Sequence, residues 1–206
     1  DGTFDPPKSF PTLTGIIELS AGDWDGNGTT EIFMLSSDER QVGQTTLDDK
    51  GGIAFPKIQS FPGRPLAMGV GKLKPGQADS LAVILDSDAA GDRRSLHLRD
   101  AKGNARVQKL SENFKASPVS ISFHDADQDG LTDLVVLIAS EKIKILRQVE
   151  DKDFEEIDVA PPGDVGGLLA GDRGRAVEGR EESPASVGQP EDAEAALRVR
   201  AGSRRT

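Results

Sequence analysis

The chain has 206 residues, 35% of them apolar, with a formal net charge of −10 and a pI near 4.7. That length holds one ordinary domain, and the acidic balance argues against a nucleic-acid partner, whose phosphates require a basic face. Cysteine is absent, which excludes a disulfide framework and a thiolate metal site, and no apolar run is long enough to span a membrane. The chain starts at Asp1 without a visible signal peptide and reads as a fragment of a longer product.

Residues 1–13 carry Pro6, Pro7 and Pro11 and read as an extended lead-in. Residues 14–20 and 31–36 are expected strands on either side of an acidic loop. Residues 41–47 and 53–59 flank Asp48-Asp49-Lys50-Gly51-Gly52, a turn cluster that joins hairpin strands. Residues 14–62 thus form a first four-stranded unit. A second, over 63–115, repeats the order with strands at 65–71, 80–86, 95–99 and 105–110; Asp100-Ala101-Lys102-Gly103-Asn104 is its hairpin turn. In a third unit, 116–160, Val119, Ile121 and Phe123 alternate with Ser120 and Ser122, the period of a half-buried strand. Residues 133–139, apolar after Asp133, read as a strand covered on both faces. Residues 142–148 and 154–159 close the unit, and the alternation of Ile143 and Ile145 with Lys142 and Lys144 reads as an outer strand with one wet face.

Residues 161–206 differ in kind, with no aromatic residue, no isoleucine and no lysine. Such a composition reads as a disordered tail, or as a stretch translated out of frame where a fourth unit would begin.

Two of the loops carry chemistry. Residues 125–133 (His124 precedes them) spell Asp125-Ala126-Asp127-Gln128-Asp129-Gly130-Leu131-Thr132-Asp133, with acids at alternate positions, a glycine and a final acid. Asp23-Trp24-Asp25-Gly26-Asn27-Gly28-Thr29-Thr30-Glu31 has the same frame. Acids this close repel one another unless a cation sits among them, and alternate side chains plus a carbonyl supply the six to eight oxygens that calcium takes, at roughly 2.3–2.6 Å. Candidate ligands are therefore Asp23, Asp25, Asn27, Glu31 and the Thr29 carbonyl, and Asp125, Asp127, Asp129, Asp133 and the Leu131 carbonyl. Two calcium sites are expected, the first weaker because Asn27 removes one charge. An EF-hand fails, since its twelfth loop position would be Met34 or Val136 and its flanks would be helices. Between these loops, residues 71–79 are a degenerate copy in which Asp79 aligns with Glu31 and Asp133, at separations of 48 and 54 residues. With one residue deleted at Pro75, Lys72 and Lys74 fall at its ligand positions; either an ammonium paired with Asp79 replaces the ion, or the two are exposed lysines on a degenerate turn. A period near 50 marks a repeat architecture.

These loops, each between two short strands, resemble those of FG-GAP and VCBS repeats, the blade units of integrin-alpha-type β-propellers. Ala21-Gly22-Asp23 and Gly69-Val70-Gly71 echo the elements that name the family. The resemblance covers about residues 15–159. It implies an all-β partial propeller of about three four-stranded antiparallel blades, with calcium on the first hairpin of a blade and a binding role outside the cell or in a periplasm.

The function expected is a non-catalytic binding or adhesion scaffold for a protein or carbohydrate ligand, at a cell surface. The alternative is an accessory or substrate-binding part of an exported enzyme. His97 and His124 stand without a candidate nucleophile, so no catalytic residue is assigned. Trp24, the single tryptophan, is expected to pack between blades rather than to stack on a ligand.

Overall fold

A computed structural model describes residues 6–86, 94–111, 114, 116–138, 142–150 and 152–158. The expected tail at 161–206 lies outside them. The described residues contain no helix; they form twelve strands. These are β1 (Ile16–Gly22), β2 (Glu31–Ser36), β3 (Gln41–Thr46), β4 (Lys57–Gln59), β5 (Arg64–Gly71), β6 (Ser80–Asp86), β7 (Arg94–Arg99), β8 (Ala105–Lys109), β9 (Pro118–His124), β10 (Asp133–Ile138), β11 (Lys142–Arg147) and β12 (Glu155–Asp158). Each consecutive set of four is one antiparallel meander, giving three four-stranded sheets. The first strand begins two residues later than expected, because Gly15 takes a left-handed conformation (φ +62°) and its backbone turns toward residues 36–38.

Alternation along the strands decides how the sheets stack. Phe33, Leu35 and Val42 of the first sheet meet Met68, Leu81, Val83 and Leu85 of the second in one core cluster. Residues at the alternate positions of the second sheet, Ala67, Ala82, Ile84, Leu96 and Leu98, point the other way and meet Ile121, Leu134, Val136 and Leu146 of the third sheet in another. The run Leu81–Leu85 is therefore covered on both faces, which is why it is continuously apolar.

The third sheet departs from expectation in two places. Its strand β10 is covered on one face only: Leu134 and Val136 are buried, whereas Leu137 is 45% exposed. On β11 the faces are reversed from their polarity. Lys144 is 1% exposed and Ile143 is 46% exposed. Pairing Val136 with Lys144 and Leu134 with Leu146 puts the lysine on the packed face. There its ammonium lies 4.7 Å from the centre of the Phe114 ring, where a cation is attracted to the aromatic face.

Candidate metal centres

The two acidic loops connect β1 to β2 and β9 to β10, and both are folded by their own side chains. In the first, the Gly28 amide donates to Asp23 Oδ2 (3.1 Å), the Asn27 amide to Asp25 Oδ1 (3.0 Å) and the Thr29 amide to Asn27 Oδ1 (2.6 Å). In the second, the Gly130 amide donates to Asp125 Oδ2 (3.0 Å), the Asp129 amide to Asp127 Oδ1 (3.2 Å) and the Leu131 amide to Asp129 Oδ1 (2.8 Å). The last acid of each loop reaches back across it. Glu31 Oε2 accepts from the Trp24 amide at 2.8 Å, and Asp133 Oδ2 from the Ala126 amide at 2.9 Å. Two stretches a hundred residues apart thus share one hydrogen-bonding plan. Glycine serves that plan at Gly28 and Gly130, with φ of +84° and +89°.

Carboxylate oxygens of Asp23, Asp25 and Glu31 lie within 4.8 Å of one another, as do those of Asp125, Asp127 and Asp133. Each triad combines loop acids with one buried acid, Glu31 (1% exposed) or Asp133 (0%), at the start of a strand. Asp129 stands outside its triad, and its Oδ1 accepts from Leu131. Asn27 likewise uses its oxygen on Thr29 and its amide nitrogen on Asp25 Oδ2 (2.9 Å). Thr29 and Leu131 take part through their amides in the same turns. One oxygen, Asp23 Oδ1, is buried without a hydrogen-bond partner among the described residues. A buried acceptor left unsatisfied costs about 1–3 kcal/mol, more when charged. A cation in the triad would supply the missing partner.

The second loop has neighbours that its spacing does not reveal. Arg147 Nη1 stands 3.8 Å from Asp127 Oδ2 and pairs also with Glu155. Burial pushes the Asp127 carboxyl up, and the charges of Asp129 and Asp133 add to this, while the Asp129 amide and Arg147 pull it back. The Gln148 amide donates to Asp133 Oδ1 at 2.8 Å. With its side-chain nitrogen as donor, Gln148 also reaches Thr132 O (2.8 Å) and Leu73 O (3.2 Å). Arg147 and Gln148 sit at the end of β11 and reach the loop only through the pairing of β10 with β11, so no motif in the sequence marks them.

In the degenerate loop, Lys72 and Lys74 are exposed, as the reading of a degenerate turn has it, and the Asp79 carboxylate is bonded elsewhere. Its Oδ2 accepts from the Asp23 amide at 2.9 Å, and its own amide donates to the Asp23 carbonyl at 3.0 Å. Backbone of the neighbouring loop, and not an ammonium, is what this carboxylate holds. Trp24 is 8% exposed and packs edge-on against Phe33 at 5.4 Å, with Nε1 donating to Arg99 O at 3.3 Å. His97 is buried, 3.0 Å from Ser95 Oγ, and burial together with the nearby Arg99 charge lowers its pKa. No protein-family model and no curated protein matches the chain, so a functional reading rests on this geometry.

Proposed function

We propose that the chain is a calcium-stabilised module of FG-GAP or VCBS type, its three sheets being blades of a β-propeller that serves as a non-catalytic binding scaffold outside the cell. The observation that carries this reading is the buried, unpartnered Asp23 Oδ1 inside a carboxylate triad whose folding plan recurs at Asp125, Asp127 and Asp133. Calcium suits both loops better than magnesium. Several carboxylates on a flexible turn match its larger and more tolerant coordination shell. Asp23, Asp25, Glu31, Asp125, Asp127 and Asp133 would hold the ions, with Asn27, Asp129 and the carbonyls of Thr29 and Leu131 within the same turns. The ions would supply charge neutralisation and loop closure, not chemistry. Weak sites of this kind fill in the millimolar calcium outside cells and stay largely empty in a cytosol.

A groove of about 700 Å³ between the first and second sheets supports the scaffold role. Phe55, Lys57, Arg99 and Asp100 line it beside Asp25 of the first loop, a mixture suited to a protein or carbohydrate surface. With Kd near ~0.1 mM and ~1 mM calcium, each site would contribute ~1.4 kcal/mol to the folded state. Thermal unfolding in 1 mM calcium against excess chelator is the test. The expected gain is roughly 5–10 °C for two sites in a domain of this size. Superimposable melts would refute a structural ion.

A further inference from the structure

The degenerate loop has exchanged one task for another. In the two acidic loops, the final carboxylate accepts from an amide seven residues back in its own loop, Glu31 from Trp24 and Asp133 from Ala126. The corresponding acid of the middle unit, Asp79, accepts instead from Asp23 of the adjacent loop, and returns its own amide to the Asp23 carbonyl. Both backbone polar groups of Asp23 are therefore fixed by one residue of another sheet. Asp23 is also the triad member whose Oδ1 is buried and unpartnered. The packing leaves no slack at this junction. A Cβ on Gly22 would lie 2.3 Å from Asp79 Oδ2, and one on Gly26 would touch Ala78 at 3.3 Å.

We propose that Asp79 is a positioning residue for the first metal centre, holding Asp23 from the second sheet so that its carboxylate enters the triad already oriented. The proposal rests on the reading of residues 23–31 as a metal site. A ligand residue whose backbone is locked by a neighbouring group has less freedom to lose when the ion binds, so affinity rises without a further ligand. The metal-free middle loop then acts as a brace for the loop beside it, and the first site depends on correct stacking of two sheets. The second centre takes its corresponding support from Gln148 of its own sheet, whose amide holds Asp133.

Terbium luminescence separates the sites, because Trp24 is the only tryptophan, lies within the first loop, and the chain has no tyrosine. Sensitised emission on excitation of Trp24 reports terbium in residues 23–31, while calorimetry with calcium follows both loops. Asp79→Ala is expected to weaken the sensitised site by about tenfold, the scale of losing a hydrogen bond to a charged group. Asp79→Asn keeps an acceptor of the same shape and is expected to stay within about threefold of the unaltered chain. Calcium binding at residues 125–133 is expected to be unchanged in both, which also shows that the fold survives. Should Asp79→Ala not fold, Gly22→Ala displaces the same carboxylate and is expected to produce the same selective loss. Equal affinities for the unaltered chain and Asp79→Ala would overturn the proposal, as would an Asp79→Asn loss as large as that of Asp79→Ala. If the unaltered chain gave no sensitised emission while calorimetry still showed a site at residues 125–133, the first loop would not be a metal site at all, and that failure is distinct from failure of the brace.

Discussion

Gly130 shows how much of an acidic loop depends on one backbone angle. Its φ is +89°, and a Cβ placed there would meet nothing within 4 Å. Any penalty for Gly130→Ala is therefore conformational and not steric, about 1–2 kcal/mol for forcing an L residue into the left-handed region. The variant is expected to lose that much in urea unfolding under chelator and to weaken calcium binding at residues 125–133, with residues 23–31 unaffected; an unchanged midpoint would show that the bend tolerates a side chain. Gln128, at φ +61°, already occupies the position where the first loop has Gly26, at +76°. The alternate acids and the glycine near the end of each loop were legible in the sequence because they are local. Arg147 near Asp127 was not, since it is fourteen residues beyond the loop's last aspartate and arrives through strand pairing.

At the scale of elements, alternation along a strand tells which residues share a face but not which face is covered. On β11 the isoleucines and lysines alternate as expected, yet Lys144 is the buried one. Its position follows from register with Val136, whose face packs on the second sheet. The long stem can lie in an apolar setting while the ammonium finds the Phe114 ring. A contrast of two truncations measures the result. Phe33 is fully buried between the first two sheets, so Phe33→Ala is expected to cost about 3–5 kcal/mol in urea unfolding. Ile143 is 46% exposed, and Ile143→Ala is expected to cost under about 1.5 kcal/mol. Equal costs would mean that the open face of the third sheet is covered in solution.

Across the whole molecule, the first strands of the three sheets are tied by one carboxyl. Glu18 on β1 accepts from the Met68 amide on β5 at 2.8 Å. Burial raises its pKa to about 7 from an ordinary 4.5, and the Met68 and Ile121 amides pull the other way. The folded form thus holds this proton more tightly than the unfolded chain. Its contribution to stability is fully present below about 4.5 and is lost as pH climbs to about 7. Glu18→Gln cannot ionise. In chelator, its melting temperature is expected to fall less than that of the unaltered chain between pH 5 and pH 8. Parallel curves would show that Glu18 is not the titrating group.

Strand alternation, turn clusters and the spacing of acids were enough to place three units and two candidate centres, because each depends on neighbours one to eight residues apart. Stacking decided the rest: Lys144 on a packed face, Leu137 on an open one, and Asp79 bound to the backbone of another loop. Those outcomes depend on which sheet lies against which, a relation between residues some fifty positions apart. No local period encodes it, because burial is a property of the partner surface as much as of the residue.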